Sequence, residues 1–114
     1  MWLETESVTE SDFSSIYAAL LPIKPLGNYK GYRLLVSVIE EILKQNAPHY
    51  NLTRDIYPSV ALRYSCKDSS IERNLRTLLL NIDMAALKNF TDKYIPNRIT
   101  VSQLIDILVV SFCK

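Results

Sequence analysis

At 114 residues the chain is one domain's worth, with room for a single modest core and not for two. Hydrophobic residues make up 48% and charged residues 22%, which excludes a disordered chain. The formal charge of +1 alone argues for no polyanionic partner, but its distribution is uneven. Residues 1–23 hold Glu4, Glu6, Glu10 and Asp12 and no Lys or Arg, whereas the rest carries thirteen basic and eight acidic groups. An acidic lead before a basic body permits nucleic acid as partner without requiring it.

Only two glycines occur, and β-branched residues rarely alternate with polar ones, so the expected class is all-α. Cys66 and Cys113 lie far apart with no CxxC or Cys/His spacing, the pattern of two reduced thiols in a cytosolic protein. No run approaches the ~18 apolar residues of a membrane span, and no basic n-region followed by an apolar h-region marks a signal peptide.

Residues 1–10 read as an acidic, mobile lead, and 11–114 as a single helical domain. Thr9-Glu10-Ser11-Asp12 offers capping acceptors, and Phe13, Ile16, Tyr17 and Leu20 follow at helical spacing. A first helix is therefore expected over 11–21, stopped by Pro22 and Pro25. LGNYKGY (26–32) holds both glycines and reads as a turn. Tyr32, Leu35, Val38, Ile39, Ile42 and Leu43 then mark a second helix to about Gln45, with Glu40 and Glu41 on its solvated face. A break centred on Pro48 follows.

A third helix is expected over about 52–64, with Ile56, Val60, Ala61 and Tyr64 on one face. Pro58 lacks an N–H, so it predicts a kink or a late start. YSCKDS (64–69) is a short polar link. Ser69 stands three residues before Glu72, the spacing of a capping box, ahead of a fourth helix striped with Ile71, Leu75, Leu78, Leu79 and Ile82. A short fifth helix is expected over 84–90. After the break at Pro96, a sixth carries Leu104, Ile105, Leu108, Val109 and Phe112.

The sixth helix is apolar over more of its circumference than one buried face needs. Either it is central to the core, or it buries the excess against a second copy. The third and fourth helices, joined by a short link, have the outline of a helix-turn-helix.

At about 100° per residue, Ser69, Glu72, Arg73, Arg76 and Thr77 fall within one arc of roughly 140°, opposite the apolar stripe and near the helix N-terminus. Recognition helices contact base edges there. An arginine fork suits guanine O6 and N7, and Glu72 can accept from a cytosine amino group or hold an arginine in place. The same Glu72–Arg76 spacing is also an ordinary i,i+4 pair of any exposed helix.

KGYRLLVSVIEEIL (30–43) and TRDIYPSVALRYSCKDSSIERNLRTLL (53–79) carry a resemblance that bears on this choice. Lys30-Gly31-Tyr32, Ile56-Tyr57-Pro58 and Ile71-Glu72-Arg73-Asn74-Leu75-Arg76 match three motifs in order. With them residues 26 to 112 resemble the C-terminal DNA-binding domains of the stage 0 sporulation protein A family, response regulators of Firmicutes.

The resemblance implies a six-helix domain, unrelated to winged helices, with the helix-turn-helix in the third and fourth helices. It implies double-stranded DNA as partner and a bacterial, cytoplasmic transcription regulator with no cofactor and no catalytic site. Glu72, Arg73 and Arg76 take the roles of the family residues that approach bases and phosphates. The DNA-contacting set then comprises Lys67, Ser69, Ser70, Glu72, Arg73, Arg76 and Thr77. Family members also pair through the last helix, as a homodimer or side by side on DNA.

The chain departs from the family pattern at several of these positions. Cys66, Lys67 and Asp68 stand where two threonines and an Ala or Pro are usual. Ser70 replaces an arginine, Thr77 a histidine, and Leu80 a polar residue. Lost phosphate contacts weaken binding, and Lys67 is the candidate replacement. The 25 residues ahead of the match are too few for a receiver domain, so no phospho-acceptor is assigned.

His49, the only histidine, reads as a surface residue beside Pro48. Tyr29, Tyr32, Tyr50, Tyr57 and Tyr64 have the spacing of packing residues rather than of a stacking platform for single strands. Trp2 has no periodic partner. Beside the DNA-binding regulator stands an alternative, a protein-interaction module of the same fold that has lost DNA and pairs with a full-length regulator.

Overall fold

A computed structural model describes residues 13–24, 27, 29–45, 50–91 and 94–112, the side chain of Tyr29 excepted. They form six α-helices and no strand. Helix α1 (13–19) leads through a 3-10 turn, Leu21–Ile23, to α2 (Tyr29–Gln45). A π-helical turn, Leu52–Ile56, runs into α3 (Tyr57–Tyr64), followed by α4 (Asp68–Asn81), α5 (Met84–Thr91) and α6 (Val101–Phe112). The all-α expectation of about six helices holds. The acceptors at 9–12, Trp2, His49 and Cys113 lie outside the described residues.

Helix α2 organises the core. Tyr32, Leu35, Val38, Ile39 and Ile42 are buried as their period predicts. Leu34, Val36 and Ser37 are buried too, because α3, α4 and α6 all pack on this helix. From the other side Tyr17 of α1 meets Tyr32 edge-on with ring centroids 4.7 Å apart, and the Tyr32 hydroxyl donates to the Tyr17 carbonyl. The turn expected over 26–32 is shorter than its two glycines suggested. Gly27 has the left-handed φ of 81° that a turn uses, whereas Lys30-Gly31-Tyr32 already lies in α2.

The solvated face assigned to Glu40 and Glu41 does not exist. The two residues are only 4% and 9% exposed, because α3 covers that side of α2. Arg63 answers both, Nη1 to Glu40 Oε1 at 3.0 Å and Nη2 to Glu41 Oε1 at 3.0 Å. Gln45 Nε2 donates to the second Glu41 oxygen at 3.0 Å. Beside them the Ser37 and Tyr64 hydroxyls meet at 2.6 Å. Period alone placed these carboxylates outside; a third layer of helix placed them inside.

Pro58 produces the late start. Its ring crowds the carbonyl four residues earlier, and it has no N–H to give. The chain widens by one residue ahead of it, so that the Tyr57 N–H reaches the Leu52 carbonyl, a five-residue span. Asn51 caps this wide turn through its side chain, which accepts from the Arg54 N–H at 2.9 Å. The Asn51 N–H in turn donates to Asp55 Oδ2 at 2.9 Å, and this bond, with that from the Arg54 side chain, lowers the Asp55 pKa.

The capping box expected at Ser69 and Glu72 does not form. Helix α4 begins one residue before Ser69, with Lys67 as N-cap and no side-chain bond closing it. Ser69 is thus inside the helix, and Glu72 is occupied elsewhere. The reciprocal arrangement appears instead at α6. There Thr100 Oγ1 accepts from the Gln103 N–H at 3.1 Å, and Gln103 Oε1 accepts from the Thr100 N–H at 2.8 Å. Of the two readings of α6, the core one accounts for Val101, Leu104, Ile105, Leu108 and Val109, all buried. Ile107 is half-buried and Val110 exposed.

Two stability predictions follow from these bonds. Arg63→Ala strands two nearly buried carboxylates. Because the guanidinium is itself 37% exposed, the cost expected in chemical denaturation is about 1–3 kcal/mol, below that of a fully buried pair. A loss under about 0.5 kcal/mol would show that water replaces the arginine. Thr100→Ala should cost about 1 kcal/mol, as a lost N-cap does, while Ser69→Ala should be near neutral. Thermal unfolding of the two variants side by side checks which serine or threonine is the cap.

Candidate nucleic-acid interface

Three residues, 65–67, join α3 to α4. Ser65 takes a left-handed φ of 54°, and the Cys66 N–H returns to the Ala61 carbonyl at 3.0 Å, closing α3 in a Schellman arrangement. The left-handed residue turns the chain sharply, so α4 leaves in a new direction. Ile71, Leu75 and Leu78 are fully buried and clamp α4 against α2, α3 and α6.

With that stripe anchored, the opposite arc must face solvent. Ser69, Arg73, Arg76 and Thr77 are exposed along it, with Lys67 exposed at its head. Ser70 sits on the flank, half-buried, its carbonyl accepting from the Asn74 amide at 2.8 Å. Leu80 continues the same arc and is 83% exposed. Arg73 and Lys67 make no ion pair among the described residues, so their donors are available.

Glu72 is the constrained member. Its side chain is 36% exposed, and both oxygens are engaged. Oε1 accepts from the Tyr57 hydroxyl at 2.8 Å, and Oε2 from Arg76 Nη2 at 3.1 Å. Tyr57 lies in the core at the start of α3, where burial and then the hydrogen bond to Glu72 push its pKa well above that of a free phenol. The geometry therefore favours the second of the two roles open to Glu72, holding an arginine. Tyr57 is a partner of Glu72 that the spacing did not reveal, because the two lie fifteen positions apart on different helices.

The field of this surface is mixed. Lys67, Arg73 and Arg76 bring three positive charges, and Asp68 and Glu72 bring two negative ones. Asp68 lies in the first turn of α4, where it complements the positive helix end and competes with any phosphate approaching it. What the face offers a partner is therefore individual donors rather than net charge. A cleft beside it is lined by Leu52, Thr53, Tyr57, Asp68, Ser69, Glu72 and Ser102. Among the described residues no group of His, Cys, Asp and Glu could hold a metal, and no helix is long and apolar enough to cross a membrane.

No curated protein and no solved structure matches the chain. A family model does, the one described as sporulation initiation factor Spo0A C terminal, over residues 20–111. That span runs from just after α1 through nearly all of α6 and includes the buried α2, the late-starting α3 and the arginine-bearing α4. The chain belongs to the family of Spo0A C-terminal domains.

Proposed function

We propose that the protein is a sequence-specific DNA-binding transcription regulator of the bacterial cytoplasm, in which α3 and α4 act as a helix-turn-helix and α4 enters the major groove. The observation that carries this is the arc on α4, where two exposed arginines and two exposed hydroxyl residues share one face of a helix clamped from behind. Arg76 is assigned to a guanine edge, with Glu72 holding it. Arg73 is assigned to a base or phosphate, Lys67 to a phosphate at the head of the helix, and Ser69, Ser70 and Thr77 to the flanking backbone. On DNA, two copies pair through α6, where Ile107 and Val110 lie beside the exposed Tyr94.

A second reading has its own support. Leu62 on α3 and Leu80 on α4 are each 83% exposed, and Asp68 opposes phosphate at the helix head. These suit a protein partner better than a polyanion.

Selection from a pool of random duplexes, followed by anisotropy titrations at two salt concentrations, separates the two readings. Arg76→Ala should cost about 1–3 kcal/mol on the selected duplex and relax discrimination at one base pair. Lys67→Ala should weaken binding to all duplexes alike and reduce the salt slope by about one counterion. Both side chains are exposed, so neither change should move the melting temperature much. Uniform loss in both variants would reduce Arg76 to an electrostatic contact. No loss in either would leave the protein-interaction reading.

A further inference from the structure

We propose that Tyr57 is a positioning residue for recognition, setting the conformation of Arg76 through Glu72. The inference rests on the reading in which α4 meets DNA, and it adds a residue that never touches DNA to the specificity apparatus.

An exposed i,i+4 pair of glutamate and arginine is worth only a few tenths of a kcal/mol, too little to hold a long side chain in one rotamer. Here the glutamate is not free to swing. The Tyr57 ring is 3% exposed at the start of α3, a helix packed on both α2 and α4, so its hydroxyl is a fixed point. It donates to Glu72 Oε1 at 2.8 Å, which fixes the carboxylate and leaves Oε2 turned towards Arg76 Nη2 at 3.1 Å. A guanidinium has five N–H donors, and this tether uses one. The remaining donors keep a fork for an outside acceptor, in an orientation set before any partner arrives.

The same geometry explains why position 57 carries a tyrosine. A phenylalanine would fill the space equally well, and a hydroxyl on a ring only 3% exposed costs free energy unless it is bonded. Glu72 supplies that bond. The first helix of the pair thereby reports its position directly to a side chain on the exposed face of the second. Ordering Arg76 in advance lowers the entropy lost on binding, which sharpens discrimination more than it raises overall attraction.

The test has one arm without DNA and one with it. In the free protein, the order parameter of the Arg76 Nε–H is expected to fall into the flexible range, below about 0.6, in Tyr57→Phe. An unchanged value overturns the tether whatever the protein binds. With DNA, the ratio of affinities for the selected duplex and its single-base variants should fall about three- to tenfold in Tyr57→Phe. In an Arg76→Ala background the same substitution should change that ratio no further. A loss shared equally by all duplexes, or one that persists without Arg76, makes Tyr57 merely structural and overturns the proposal. Should the wild-type protein fail to discriminate among duplexes while Arg76 still loosens in Tyr57→Phe, the DNA reading falls and only the tether survives. Glu72→Gln keeps one acceptor oxygen where two are used, so it cannot serve the tyrosine and the arginine each through its own oxygen; lying on a partly exposed face, it carries both arms if Tyr57→Phe does not fold.

Discussion

Burial of the middle of α2 over most of its circumference is the constraint from which the rest of the structure follows. A helix with a wet face can leave its charges in water; one wrapped by α1, α3, α4 and α6 cannot. Glu40 and Glu41 have to be met inside the protein, and Arg63 meets them both. Leaving both carboxylates unpaired would cost about 1–3 kcal/mol, a sizeable part of the stability of a domain this size. The double ion pair therefore also sets where α3 lies along α2.

Once α3 is placed, the exposed face of α4 is largely decided. The short turn at residues 65–67 allows few directions of exit, and the buried Ile71, Leu75 and Leu78 fix the helix rotation. Rotation decides which side chains reach solvent, since an error of one residue turns a helix by about 100° and would send Arg73 or Arg76 towards the core. Pro58 and its π-helical turn belong to the same arrangement. The wide turn lets the chain approach from Asn51 while Tyr57 still enters the core with its hydroxyl on Glu72. The core and the exposed arc of α4 are thus joined through a few side chains rather than built separately.

Several readings from sequence erred for one physical reason. Period and spacing put Glu40 and Glu41 in solvent, make Ser69 a cap and give the glycines at 27 and 31 one turn. Each rule used was local. A capping box at Ser69 is a competition between two partners for Glu72, and Tyr57, fifteen residues away, takes one oxygen while Arg76 takes the other. At Thr100 no distant group competes, and there the box closes.

The sequence by itself determined the helical class, the apolar stripes and the composition of the arc from Ser69 to Thr77, because these depend on a period of 3.6 residues and on nothing further away. It also carried a disturbance at the head of α3, a kink or a late start, since proline's missing N–H acts within one turn. Only the tertiary structure decided that a second helix face was dry, that Arg63 answers two carboxylates, and that a core tyrosine holds the glutamate which holds Arg76. Those outcomes depend on which surfaces meet across the fold, and side chains fifteen or twenty residues apart acquire their energies only when packing brings them within hydrogen-bond distance.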